Sequence, residues 1–340
     1  AVAQAVRGRS QGADFSSPAA HVLAQGRGNR LLPLKATLAS AGIPSHIVLV
    51  RAFNQDQAQY RFPRIEAYPW AVLRIDLPDE PVWIDPTYRL APFGELPVFL
   101  RDQDAWVIPE PGEEPQRIRT PKGTGQDGRD IALRFNLDAS GAAEGTGRDK
   151  HMGFEAAGLK DALERFDDTQ RKQAVETMLS RGLRGLELDS LSVEGESEIG
   201  ASATAVYGMR VQLARKDGAQ LFVPASLLPQ KLARRFVQRA ERNLPLLVDS
   251  TEKQTTRAEI ALPDGFHLRS RPPPVSLRTP FGEFSWSVRE DGGRLVVEES
   301  FLMPRQRVAP ARYGEFSDFA RRVDDVEGQE LLLTGAQAAR

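Results

Sequence analysis

The chain has 340 residues, long for one compact domain and enough for two, and its 41% hydrophobic and 27% charged residues are the balance of an ordinary globular protein. A formal net charge of −1 gives no overall attraction to nucleic acid or to an anionic membrane. The absence of cysteine excludes disulfides, thiolate metal sites and thiol nucleophiles together.

No apolar run reaches the ~20 residues that cross a bilayer, so no membrane span is expected. The opening Ala1-Val2-Ala3-Gln4-Ala5-Val6-Arg7 lacks the charged segment and apolar core of a signal peptide. Residues 31–41 then place Leu31, Leu34, Leu38 and Ala41 on one helical face, and Gly42-Ile43-Pro44 ends the helix. Residues 45–52 form a buried strand, 70–77 another, and 82–84 a short third that runs into Asp85-Pro86-Thr87. One helix backed by consecutive strands predicts an α+β domain over 1–108. Residues 109–130 are rich in proline, glycine and charge without apolar periodicity, the composition of a linker or surface loop.

The second half, 131–340, has a different pattern. Residues 131–137 alternate at period two, and Ser140-Gly141 makes a hairpin turn to a second strand. Two helices follow at about 155–166 and 169–180, the second capped by Asp167 or Asp168. Strands are expected near 186–193, 204–214 and 220–223, and a basic amphipathic helix over about 229–242. Further strands fall near 257–262, 282–288 and 294–301, with turns at Pro263-Asp264-Gly265 and Asp291-Gly292-Gly293. A last helix, about 311–323, puts Tyr313, Phe316, Ala320 and Val323 on one face. The expectation is a β-sandwich-like domain with inserted helices.

The stretch from Gln25-Gly26-Arg27-Gly28-Asn29-Arg30 to Gly42-Ile43-Pro44, with Val82-Trp83-Ile84-Asp85-Pro86-Thr87, resembles the bacterial transglutaminase-like (papain-like) proteins. In active members a cysteine opens the helix that ends in Gly-Ile-Pro, a strand carries a histidine, and a Trp-x-Asp-Pro-Thr turn carries an aspartate. The family spacing puts Arg27 in the cysteine slot, Asn29 in place of a motif aspartate, and Trp70 or Tyr68 in the histidine slot. Only Asp85 keeps its residue type. Arginine stays protonated and tryptophan shuttles no proton, so the ancestral thiolate reaction is lost.

The resemblance therefore implies a pseudoenzyme with a degenerate triad, needing no cofactor and engaging a protein or peptide partner as a binding or scaffold protein. Many of its relatives are envelope or secreted proteins, which implies a periplasmic or cell-envelope location. A longer envelope protein, with a further domain before this one, is also consistent with the resemblance. Arg27 is expected to pair with Asp85 as a structural salt bridge, or else to favour an anionic group at the helix N-terminus. Arg27, Tyr68, Trp70 and Asp85 are thus the candidate binding residues, with Trp70 also suited to filling the emptied groove. The rival reading is a hydrolase or peptidase with a non-cysteine nucleophile, which requires a serine or threonine hydroxyl beside a histidine in a cleft.

Other features carry less. His21, His46, His151 and His267 lie far apart, and Ser45 and His46, adjacent on a strand, point to opposite faces. His151 and Glu155 lack a third metal ligand, and no metal is expected. Lys231, Arg234, Arg235, Arg239 and Arg242 read as the solvated face of a helix that docks through Leu232, Phe236 and Ala240. Arg271-Pro272-Pro273-Pro274 reads as a rigid connection between strands.

Overall fold

The computed structural model describes residues 17–26, 28–55, 64–200 and 202–335. Among them the structure is sheet-rich α+β, with six α-helices. It divides into two compact units. The first comprises the described residues up to 126 with Ala156–Asp161 and 197–200; the second comprises Asp127–Glu155, Ala162–Glu196 and 202–335.

In the first unit, α1 (Ala19–Gln25) stops at Gly26, which takes the left-handed φ of 66°. Helix α2 (Leu31–Ser40) begins where Asn29 Oδ1 accepts the Leu31 N–H at 2.8 Å. It ends where Ile43 N–H bonds back to Leu38 O at 2.9 Å, around Gly42 at φ 72°. The five-stranded sheet has the order β3-β2-β1-β4-β5, formed by β1 (Ser45–Val50), β2 (Trp70–Ile75), β3 (Val82–Ile84), β4 (Asp104–Val107) and β5 (Gln116–Arg119). Among the described residues all four neighbouring pairs in it are antiparallel.

The unbroken apolar run of β1 has a physical reason. Ile47 and Leu49 pack with Leu31, Leu73 and Ile75 on the face that carries α2. Val48 and Val50 pack with Val72, Trp83, Leu100 and Val107 on the opposite face. A strand buried on both sides loses the alternation of a half-exposed one. Each fully buried valine or leucine contributes about 1.5–3 kcal/mol of transfer free energy.

The segment 109–130 is not a linker. It contains β5, whose Ile118 packs inward while Arg117 forms an ion pair with Asp104 at 2.7 Å. An edge strand with one inward apolar residue shows no apolar period, so the composition of a linker concealed it. The second unit begins at Asp127, inside the same segment.

The second unit is organised around an eight-stranded sheet of order β15-β16-β17-β13-β6-β7-β9-β8. Its strands are β6 (Gly128–Leu137), β7 (Ala142–Met152), β8 (Glu187–Glu194), β9 (Ala203–Gln212), β13 (Glu252–Ala261), β15 (Val275–Thr279), β16 (Gly282–Asp291) and β17 (Arg294–Met303). The neighbours β13 and β6 run parallel; the other pairings in the sheet are antiparallel. It is therefore two four-stranded antiparallel halves joined along one parallel seam. At the β6–β7 turn, Asp138 Oδ1 accepts Ser140 N–H at 2.7 Å, and Gly141 adopts φ 90°. A Cβ at Gly141 would fall 2.3 Å from Ala214 O. The β16–β17 hairpin closes through Gly292 and Gly293, both at positive φ as a two-residue turn of this twist requires.

A second sheet, β10 (Arg215–Asp217), β11 (Gln220–Pro224), β19 (Glu330–Gly335) and β14 (Phe266–Ser270), has the order β10-β11-β19-β14. The short strands β12 (Leu246–Val248) and β18 (Gln306–Val308) pair separately. Both larger sheets contribute to one core: Leu133, Tyr207, Trp286 and Phe301 from the first, Leu221, Val223, Leu331 and Leu333 from the second. The Trp286 indole N–H donates to Ala225 O at 2.8 Å, so its polar edge is satisfied inside that core.

Helices α3 (Phe154–Leu163) and α4 (Asp168–Leu179) follow the hairpin. Asp167 caps α4 in a reciprocal capping box with Gln170. Helix α6 (Tyr313–Glu327) buries Tyr313, Phe316, Phe319, Ala320, Val323 and Val326. The basic helix expected over 229–242 is much shorter: α5 covers only Leu232–Phe236. Leu232 is buried and Phe236 and Val237 are half-buried, but 238–241, Ala240 included, are exposed, so no apolar contact carries the helix further. Arg271-Pro272-Pro273-Pro274 joins β14 to β15, as a rigid connection should.

Candidate functional site

The first candidate site is the Asp85 turn of the first unit. Asp85 follows β3 directly and is 5% exposed. Its Oδ1 accepts the Thr87 N–H at 2.9 Å, tightening the Asp85-Pro86-Thr87 turn, while Oδ2 is buried without a hydrogen-bond partner. Burial raises the carboxyl above its ordinary value, and the Thr87 hydrogen bonds and the Arg30 charge only partly oppose this. Burial thus works against the ionised form that an imidazole relay requires.

Arg30, not a motif position, is the cation beside this turn. It donates through Nη1 to Pro86 O at 3.1 Å, while its Nε is buried and unpartnered. Burial lowers its proton affinity, with Asp161 and Asp85 acting in the opposite sense. Arg27, expected to pair with Asp85, lies outside the described residues. Asn29 serves the backbone at the start of α2.

The two histidine-slot candidates are engaged elsewhere. Tyr68 is buried, donates its hydroxyl to Asp104 Oδ2 at 2.7 Å and lies under Arg51, whose guanidinium carbon is 5.1 Å from the ring centroid. Trp70 packs edge-on against Phe99 at 4.9 Å and joins the core face with Val48 and Val72. Among the described residues no hydrogen bond, ion pair or ring contact links Tyr68, Trp70 and Asp85.

The histidines give no hydroxyl relay. His46 Nδ1 lies 2.7 Å from Asp76 Oδ2, in a cluster with Arg74. His267 Nδ1 lies 3.1 Å from Glu290 Oε1 on an exposed strand. Among the described residues no serine or threonine hydroxyl hydrogen-bonds to a histidine. Nor does any cluster of three or more His, Asp and Glu side chains among them suit a metal ion.

A second buried polar group lies in the second unit. Asp149 on β7 is fully buried and accepts two hydrogen bonds from Arg129, while His151 Nε2 lies 3.2 Å from its Oδ1. Burial alone would raise the Asp149 carboxyl; the hydrogen bonds and charges of Arg129 and His151 outweigh it and hold the group at about 2. Burial pushes the nearby Tyr207 phenol up, so it stays protonated, and its hydroxyl is buried without a partner. His151 Nδ1 is likewise unpartnered, so no nucleophile completes this arrangement. The sequence signal was available: Gly147, Asp149 and His151 occupy the inward positions of an alternating strand, where apolar residues are the rule.

Residues 219–333 match the family model of a domain of unknown function, DUF3858. That segment runs from just before β11 into β19 and lies within the second unit. No curated protein matches the chain. Among solved structures, a crystal structure from Parabacteroides distasonis ATCC 8503 described as a "putative protease" is 12% identical, with a TM-score of 0.48. The match covers 93% of this chain and 46% of that one, so the chain spans about half that protein's length.

Proposed function

We propose that the chain is a non-catalytic transglutaminase-like protein, with a β-rich second domain, that binds a protein or peptide partner in the periplasm or cell envelope. The observation that carries this reading is the condition of the triad slots. Asp85 is buried with an unpartnered oxygen and a raised proton affinity. Tyr68 and Trp70 are committed to Asp104 and Phe99, and the chain has no cysteine. Acyl transfer of the ancestral kind needs a thiolate, a proton shuttle and an ionised carboxylate together. In this reading, the family's recognition of an extended peptide outlives that chemistry. The hydrolase alternative has no hydroxyl–histidine contact among the described residues to support it.

The test compares the parent chain with Asp85→Ala and Asp85→Asn in transamidation and peptide-hydrolysis assays and in urea denaturation. All three proteins are expected to show no turnover above background. Asp85→Ala should lose about 1–3 kcal/mol of stability, because the half-buried Thr87 N–H loses its acceptor. Asp85→Asn, which keeps an acceptor oxygen, should lose less. Parent turnover that Asp85→Asn abolishes would overturn the non-catalytic reading.

A further inference from the structure

A cavity of about 790 Å³ opens in the second unit beside the Arg129–Asp149 pair. Its charged lining is one-sided. Arg129, Arg181, Lys231, Arg234, Arg235 and Lys253 face it, against the carboxylates of Glu155 and Glu252 alone. The chain as a whole carries a net charge of −1, so this is a local concentration of positive charge and not a general property.

Three of the six cations are satisfied from within the protein. Asp149 holds Arg129, Glu252 holds Arg235, and the Arg181 carbonyl accepts from the Lys231 ammonium. Arg181, Arg234 and Lys253 have no carboxylate partner among the described residues. Like charges gathered in a concavity repel one another, and a multivalent anion is the species that relieves the repulsion. The planar guanidinium forks of Arg181 and Arg234 suit phosphate and carboxylate oxygens.

The walls are built and not merely crowded. Lys231 sits at φ 54°, a left-handed conformation that residues other than glycine rarely adopt. It is kept there by two carboxylates of α6. Asp324 accepts the N–H groups of Leu232 and Ala233 at 2.7 and 2.9 Å, and Glu327 accepts that of Gln230 at 2.9 Å. Backbone strain held in place by its surroundings concentrates at ligand-binding positions. Gly182, also in the lining, lies against the Leu227 carbonyl so closely that a Cβ would fall 2.1 Å from it. The volume falls in the range of ~300–1,000 Å³ typical of small-molecule sites.

We infer that this cavity binds a small polyanion carrying at least two phosphate or carboxylate groups, with Arg181, Arg234 and Lys253 as the contacting cations. The site belongs to the second unit and stands independently of the peptide-binding reading, which rests on the Asp85 region of the first.

The test is calorimetric titration of the full chain at low ionic strength with pyrophosphate, and in parallel with citrate. Acetate serves as the monovalent control. Saturable binding of pyrophosphate, citrate or both, without binding of acetate, is the expected result. Pyrophosphate alone identifies phosphate as the recognised group, citrate alone carboxylate, and both the shared oxyanion chemistry. The double variant Arg234→Gln/Lys253→Gln should weaken binding about tenfold or more with an unchanged melting temperature, both side chains being on exposed residues. Lys216→Gln, an exposed cation on β10 away from the cavity, should leave it unchanged. Absence of saturable binding by both anions would overturn the inference. So would an equal loss in Lys216→Gln, or binding confined to an acidic peptide such as oligoglutamate.

Discussion

Asp85 and Asp149 are both buried carboxyl groups, yet their proton affinities shift in opposite directions, because burial outweighs the neighbours in one and the neighbours outweigh burial in the other. Asp85 has a hydrogen-bonded turn on one oxygen and nothing on the other, so burial dominates and raises its proton affinity. Asp149 is buried as deeply but is gripped by Arg129 and approached by His151, so it remains ionised down to about pH 2. Its folded-state value lies below the ordinary 3.8, so it contributes stability above pH 3.8 that is lost as pH falls toward 2. Asp149→Asn should cost about 3–5 kcal/mol at neutral pH, because it leaves the Arg129 guanidinium without its charge partner, and should flatten the acid limb of stability below pH 4. Urea denaturation between pH 2 and 7 checks both; a variant as stable as the parent would remove Asp149 from the supports of this sheet. Asp85 was legible from its Trp-x-Asp-Pro-Thr setting. Arg30 was not, because family spacing pointed to Arg27 and nothing local distinguishes one arginine from the next in Arg27-Gly28-Asn29-Arg30.

At the scale of elements, the contact between α6 and the start of α5 does unusual work. Asp324 and Glu327, near the end of α6, serve as the N-terminal cap that α5 does not carry in its own sequence. Glu327 also faces Glu299 of β17, and both are buried. Burial raises Glu299, opposed by a hydrogen bond from Ser226; burial and then the charge of Glu299 raise Glu327, opposed by the Gln230 N–H. Both values lie above the ordinary 4.5, so the folded chain holds protons that the unfolded chain has released, and stability falls as pH rises from about 4.5 to about 8. Glu327→Gln should remove much of that slope and be the more stable protein at pH 9, by on the order of 2 kcal/mol. Thermal melts from pH 5 to 9 check it, and parallel curves for parent and variant would count against the shared burial. Elements with their own signal were legible: α4 with its Asp167 cap, α6 with its apolar face, and the alternating strands β6, β16 and β17. Strands of three to five residues such as β10, β12, β15 and β18 were not, since so few residues show no period. The sequence overstates the length of α5 because its cap comes from a helix nearly a hundred residues away in sequence, and its basic tail continues the composition without an apolar anchor.

At the scale of the second unit, the parallel seam separates two sequence blocks. The half-sheet β6-β7-β9-β8 is complete before residue 213, and the half-sheet β13-β17-β16-β15 lies wholly within the DUF3858 segment. No local pattern announces such a seam, because parallel pairing joins strands far apart in the chain. The sequence therefore showed a β-rich second half without showing which strands meet. The segment 219–335 expressed alone should self-associate, since it exposes the edge of β13 from Gln254 to Ala261. Coexpression with a piece ending at the exposed Gly218 turn should recover a soluble one-to-one complex. Size-exclusion chromatography checks it, and a monomeric isolated segment would mean that the edge protects itself. The seam thus makes the large sheet an interface between two partners that happen to share a chain. Each half can then diversify its outer strands freely, provided that β6 and β13 continue to recognise each other.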